Sequence, residues 1–449
     1  MLSLILLLIS SLLLVDYFYL LCLFVFGLLY VVCFLNFNYL VYVMYKFSFV
    51  CLTDLGYYFV VLLLCLFLLL FALGCFSFHL VFLLVLVCFV FIQFFVSVSL
   101  LYMLLYFEFS FVIIYLLVVF WGFNPERLES LSYFLVYSVC GSFPLFAFVT
   151  VLVYYIGSSF SFDCIFQLFL CSSLFYPFDY SWFFSLYAFV VVFGFFFKFP
   201  VWGLHSWLPK AHVEAPYYGS VLLAGLMVKL GLYGIFYFYS YFLLFDLSLS
   251  FVCCLFVYMC FSLLFSKLST VRQYDLKSYI AYSSIVHMGL VSLSFWSGSV
   301  LSVFGSLFLA VSHGFVSSLL FVGVSFFYSS SGTRILYLNR GYLYLYSLFV
   351  FFWFICLISN SSIPFSLGFF SELMLFYSSV QFSLVSSFFC CFNLFFCGLY
   401  CLYLYLITSH GCIFSGLGFG YLNSFLVCFV FALLLLFNSF FCLFLMVLC

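Results

Sequence analysis

Residues 62–71 read LLLCLFLLLF, a run of apolar side chains with no polar break. A strand crossing lipid alternates apolar and polar residues, because one face meets lipid and the other a lumen. This stretch has no alternation, so it predicts a transmembrane helix. The rest of the sequence follows the same pattern. Of 449 residues, 70% are apolar and 5% are charged, against about 25% charged in an ordinary soluble domain. So few charges cannot cover a water-exposed surface, which excludes a soluble enzyme. A spanning helix uses about 20 residues, so fourteen would use about 280 and leave short connections. No room remains for a soluble cofactor-binding domain of ordinary size. Any cofactor holder must then be another chain. The excess of Phe, Leu, Tyr, Cys and Val also fits a T-rich organellar gene.

Apolar segments fall at 2–15, 17–35, 58–76, 80–98, 100–120, 131–155, 182–213, 218–241, 247–266, 278–296, 300–327, 342–377, 383–408 and 421–446. The first lacks a basic leader and a small-residue cleavage site, so it reads as a membrane helix and not a signal peptide. Spans seven and twelve are too long for plain crossings and contain Pro200 and Pro364. A proline inside a spanning helix frees backbone groups, which is tolerated where the site faces protein or water. Two interrupted helices five apart are the trace expected of inverted repeats in a transporter. The predicted fold is therefore all-α and transmembrane, with about 14 helices in two inverted-topology repeats (helices 4–8 and 9–13). Helices 7 and 12 are broken. The corresponding units are 1–78, with helices 1–3; 79–241, the first repeat; 242–408, the second; and 409–449, with helix 14.

Loops after odd-numbered spans hold Arg127, Lys210, Lys267, Arg272, Lys277, Arg334 and Arg340, and those after even-numbered spans only Lys46. The positive-inside rule puts the first set in the matrix or cytoplasm and both termini on the opposite side.

Charges within spans are costly, at about 2.5–3.5 kcal/mol each on insertion scales, and are functional candidates by default. Four stand out: Glu108 in span five, Lys198 before Pro200, Lys229 in span eight and Glu372 beyond Pro364. They could be static ion pairs or a proton relay. Histidines favour the relay. His287 lies one turn from Ser283, and His313 sits among small hydroxyl residues in the next span. His79 and His410 fall near helix ends. His205 and His212 are seven residues apart with no Cys or third ligand, so a polar half-helix reaching the surface fits better than zinc. The 21 cysteines include no Cys-x-x-Cys spacing, and there is no GxGxxG or Walker loop. No basic pattern suggests nucleic acid.

The stretch KFPVWGLHSWLPKAHVEAP (198–216) is followed by GSVLLAGLMVKLGLYG (219–234) and VRQYDLKSYIAYSSIVHMG (271–289). Further motifs are WGFNPERL (121–128), SHGFVSSLLF (312–321) and SIPFSLGFFSEL (362–373). Together they resemble the antiporter-like membrane subunits of respiratory complex I, and among them the subunit 4 family of mitochondrial NADH dehydrogenase. The resemblance covers roughly residues 100–380. It implies that Glu108 and Lys198 form a coupling ion pair and Lys229 is the central lysine. His287 and His313 would link Lys229 to Glu372, where the path turns toward the outer side. The subunit 5 family is disfavoured, because it carries lysine in the broken twelfth helix.

The resemblance further implies a proton-translocating subunit of NADH:ubiquinone oxidoreductase in the mitochondrial inner membrane, with termini on the intermembrane-space side. NADH, FMN, Fe–S clusters and ubiquinone would be held by partner subunits and none by this chain. Expected partners are the neighbouring antiporter-like subunits 2 and 5, accessory subunits and lipids including cardiolipin. The rival readings are a freestanding or Mrp-type cation/proton antiporter subunit and an inert scaffold.

Overall fold

The computed structural model describes residues 50–73, 77–97, 100–122, 124–156, 181–244, 249–295, 297–364 and 366–412, with isolated positions between 427 and 438. Predicted spans one and two, and most of span fourteen, lie outside these residues, as do both termini. Among the described residues the chain is helical without a named strand. The helices are α1 (Val50–Leu73), α2 (Phe78–Val96), α3 (Leu100–Trp121), α4 (Arg127–Ile156), α5 (Ser181–Lys198), α6 (Trp207–Glu214) and α7 (Tyr217–Leu222). A π-helical turn (Leu223–Met227) joins α7 to α8 (Val228–Leu244). Then come α9 (Leu249–Val271), α10 (Leu276–Phe295), α11 (Val300–Ser331), α12 (Tyr342–Leu345), α13 (Ser347–Asn360), α14 (Leu367–Phe382) and α15 (Leu384–Ser409).

Seven of the described helical stretches are long and apolar enough to cross a membrane. Two of them, Tyr217–Phe236 and Val300–Ser331, have an 18-residue apolar window that is buried throughout. In the others half or more of the window's residues are not buried, which leaves a face for lipid. The enclosed α11 is rich in Gly and Ser, which let neighbouring backbones approach. It packs against α1, α7, the π turn, α10, α13 and α14, and is the axis of the molecule. Ser299 caps its start by accepting from Ser302 N, and Gly332, at φ 68°, ends it in the left-handed conformation.

Lipid tails are as apolar as the core, so packing and dispersion hold these helices together more than water exclusion does. Aromatic clusters supply much of that contact. Tyr233 meets Phe59, Phe94 and Phe95 with ring centroids 5.2–6.1 Å away. Phe327 gathers Tyr342, Phe349 and Trp353 edge-on. Helices α4 and α5 touch at Gly141 and Gly194, where a Cβ on either residue would stand within 3 Å of the other's carbonyl oxygen.

Helix α5 stops at Lys198, two residues before Pro200, and the chain stays non-helical until Trp207. The indole of Trp207 donates to the Phe197 carbonyl at 2.7 Å, which satisfies an acceptor at the helix end. Helix α13 stops at Asn360 and α14 begins at Leu367, after Pro364. There the Asn360 carbonyl accepts from the Cys397 thiol at 3.4 Å.

Candidate functional site

Lys198 is the last residue of α5 and points at α3. Its ammonium donates to the Phe107 carbonyl at 2.9 Å and lies 3.2 Å from the centre of the Phe107 ring. Glu108 Oε1 stands 3.6 Å away, at ion-pair range but beyond a hydrogen bond. The lysine side chain is buried, whereas the Glu108 side chain is 36% exposed on the outer face of α3. A cavity of about 10 Å³ beside Lys198, between Phe111, Phe134, Phe197, Trp207 and Met227, is near the lower limit for one water. The predicted pair is therefore assembled, with one member at the interior and one near the surface.

Lys229 is fully enclosed, in the first turn of α8. The π turn preceding it leaves a carbonyl for its side chain, and the ammonium donates to Ala224 O. Nζ also lies 3.0 Å from His313 Nδ1 on α11. The His313 and His287 rings are 5.5 Å apart, centre to centre. His287 Nδ1, on α10, is 3.7 Å from Glu372 Oε1 on α14. All four side chains are buried. Lys229, His313, His287 and Glu372, which lie far apart in sequence on four helices, stand in a row in which Lys229 and His313 are within hydrogen-bond distance and the later steps are wider.

Sequence reading missed several neighbours. Tyr400 on α15 has its hydroxyl 3.1 Å from His287 Nε2 and 2.9 Å from Cys397 Sγ. With Nε2 facing Tyr400, Nδ1 is left facing Glu372. A Tyr in a sequence with 38 of them gave no signal. The π turn was equally invisible, since LAGLM suits an ordinary helix. Ser283 spends its hydroxyl on the Ile280 carbonyl at 2.8 Å rather than on His287.

Two expectations are corrected. The half-helix at 207–214 does not reach the surface as a polar face. It buries Trp207, Leu208, Ala211, His212 and Glu214, with Lys210 turned outward to Glu129 at 3.3 Å. His212 stacks on Phe321 at 4.5 Å, and Glu214 meets Arg334 at 3.4 Å. The side chain of a short helix packed between α4 and α10 is set by those neighbours and not by its polarity. Lys267, counted above with a loop, lies inside α9 and is 1% exposed. The apolar run that defines α9 continues through it to Val271. His79 and His410 stand at the helix ends, in the first turn of α2 and just after α15.

Among the described residues, no group of three or more His, Cys, Asp or Glu side chains is placed to hold a metal ion. The line from Lys229 to Glu372 contains titratable groups but no nucleophile–base pair aimed at an open cleft. It brings together an amine, two imidazoles and a carboxyl group, side chains that can each take up or release a proton.

Curated relatives are named NADH-ubiquinone oxidoreductase chain 4. The chain is 35% identical over 311 residues to that of Ceratitis capitata, covering 66% of this chain and 63% of that one. It is 37% identical over 297 residues to that of Mytilus edulis, covering 66% and 65%. The chain thus spans somewhat less than two thirds of the length of these relatives. Among solved structures, it superposes on a chain of respiratory complex I from Thermus thermophilus with a TM-score of 0.74 at 21% identity, covering 86% of this chain and 81% of that one. A chain of an archaeal membrane-bound sulfane sulfur reductase gives 0.73 at 19% identity, covering 87% and 80%. These superpositions show a shared helical fold. Residues 97–397, which hold every charge of the site, match the family described as NADH:quinone oxidoreductase/Mrp antiporter, transmembrane. The chain belongs to that family.

Proposed function

We propose that this chain is the subunit 4 type of antiporter-like subunit in respiratory complex I. It moves protons across the mitochondrial inner membrane while partner subunits pass electrons from NADH to ubiquinone. The observation that carries this reading is the buried line Lys229–His313–His287–Glu372. A static lock needs one ion pair, not two histidines interposed between a lysine and a carboxylate. The Glu108–Lys198 pair is the coupling element. Lys198 adjoins Phe199, whose backbone packs on Gly231, two residues beyond Lys229, so movement at the pair reaches the central lysine. Moving one charge against 100 mV costs about 2.3 kcal/mol. Each step must therefore change a proton affinity by more than tenfold.

The helices of 79–241 and 242–408 would be two inverted repeats, interrupted at Pro200 and Pro364, with the termini facing the intermembrane space. NADH, FMN, Fe–S clusters and ubiquinone belong to partner subunits. Neighbouring antiporter-like subunits 2 and 5, accessory subunits and lipids such as cardiolipin would cover the outward Phe and Leu side chains. Native gel separation of solubilised membranes tests the reading. The chain should migrate with NADH-oxidising activity; migration apart from it would favour an Mrp-type cation/proton antiporter.

A further inference from the structure

The thiol of Cys397 stands where two parts of the molecule meet. On one side it lies 2.9 Å from the Tyr400 hydroxyl and 3.7 Å from His287 Nε2, and that hydroxyl is 3.1 Å from the same nitrogen. On the other side it donates to the Asn360 carbonyl at 3.4 Å. Asn360 is the last residue of α13, where carbonyls lose their helical donors, and the thiol supplies one. The Asn360 side chain makes a second tie, its Nδ2 donating to Cys401 Sγ at 3.5 Å, one turn further along α15. All five side chains are buried. The break that begins at Asn360 is a held conformation. Ser362 has φ 57°, a left-handed backbone that its side chain disfavours and its surroundings must maintain. Helix α14 leaves this break at Leu367 and carries Glu372 in its second turn.

A thiol has one proton to donate, and so has a phenol. When His287 Nε2 carries a proton, it donates to Tyr400, Tyr400 donates to Cys397 and Cys397 donates to Asn360. Each bond in that chain polarises the next. When Nε2 is bare it accepts from Tyr400, whose proton is then spent. The thiol turns its own proton to the nearer Tyr400 oxygen, and the Asn360 carbonyl loses its donor. We propose that Cys397 is a positioning residue that ties the proton on His287 to the helix break before Glu372. A proton arriving at His287 tightens the end of α13, the anchor from which α14 presents Glu372 to Nδ1 at 3.7 Å. Its departure loosens that anchor. The other titratable groups facing His287 are His313 on α11 and Glu372 on α14, while Lys267 on α9 faces the rings of Phe392 and Phe396. The consequence for transport rests on the proton path proposed above; the hydrogen-bond chain does not.

Two variants separate this role from packing. Cys397→Val fills the space without a donor, and Cys397→Ser keeps a donor and an acceptor in a smaller side chain. In membranes carrying the assembled complex, the ratio of protons moved to NADH oxidised would be measured beside Lys229→Ala. Cys397→Val should lose most of the difference between the unaltered ratio and that of Lys229→Ala, and Cys397→Ser should keep most of it. A thiol that only fills space predicts the opposite order. A normal ratio in Cys397→Val would overturn the proposal, as would a Ser variant that fails to assemble or pumps no better than Val. The S–H stretching band of Cys397, identified by its loss in Cys397→Ser, is read by difference infrared spectroscopy and does not depend on pumping. In Tyr400→Phe it should move to higher frequency, because the thiol loses the partner that polarises it. An unmoved band would overturn the proposal even if Cys397→Val did not assemble. Normal pumping in Lys229→Ala would refute the proton path and leave the infrared result to decide the chain.

Discussion

Lys229 Nζ stands 3.0 Å from His313 Nδ1 in an interior that excludes solvent from both side chains. Two positive charges at that separation repel by about 5 kcal/mol at an effective dielectric constant of ~20. That exceeds the roughly 2.3 kcal/mol needed to move one charge against 100 mV. On the proposed path the pair would hold one proton at a time, and a second one arriving at Lys229 would drive the first toward His287.

His313→Gln keeps the size and an acceptor but cannot carry a proton. Proton uptake by sealed vesicles, followed with a pH-sensitive dye, should fall by about tenfold or more, the range of an essential acid–base group. Assembly should be unaffected. Normal uptake would mean that Lys229 discharges by another route.

Glu108 is half-buried and its partner Lys198 is buried, so its loss leaves an enclosed ammonium held by the Phe107 carbonyl and ring and should cost stability, at about 1–3 kcal/mol. Glu108→Gln should leave assembly intact yet lower the ratio of protons moved to NADH oxidised. Glu108→Asp should restore much of it. Equal ratios in the unaltered and Gln proteins would reduce the pair to a structural contact.

The hydroxyl of Tyr400 orients His287 for Glu372. Removing it in Tyr400→Phe loses its hydrogen bonds to His287 and Cys397, each worth about 1 kcal/mol, with little change of shape. Turnover-linked pumping should slow several-fold while assembly persists. If pumping is unchanged, His287 is oriented by its packing alone.

Gly231 sets the distance between α8 and the end of α5. A Cβ there would lie 2.7 Å from Phe199 N and 3.1 Å from Phe195 O, both backbone atoms. Gly231→Ala must push the helices apart, at about 1–3 kcal/mol. The assembled complex should melt at lower temperature. It should also couple less well, because Lys198 moves with Phe199.

The sequence made the charged site legible because the membrane makes charges rare. Glu108, Lys198, Lys229 and Glu372 stood out against an apolar background, and the structure brings each beside a partner. The pairing of His313 with Lys229 and of His287 with Glu372 could be ordered from the family resemblance, but their distances could not. What stayed hidden depends on the third dimension. Tyr400 and Cys397 are ordinary members of an apolar helix until α15 is laid against α10. The π turn before Lys229 arises from how that helix packs, not from an unusual composition. Lys267 was misplaced because a lysine near a helix end looks the same in sequence whether it leans out to water or back into the bundle.

The central claim is that Lys229 carries the transported proton. Lys229→Ala, in membranes where the complex still assembles and still oxidises NADH, is its most direct test. The ratio of protons moved to NADH oxidised should fall by the full contribution of this subunit. An unchanged ratio in that variant would contradict the account.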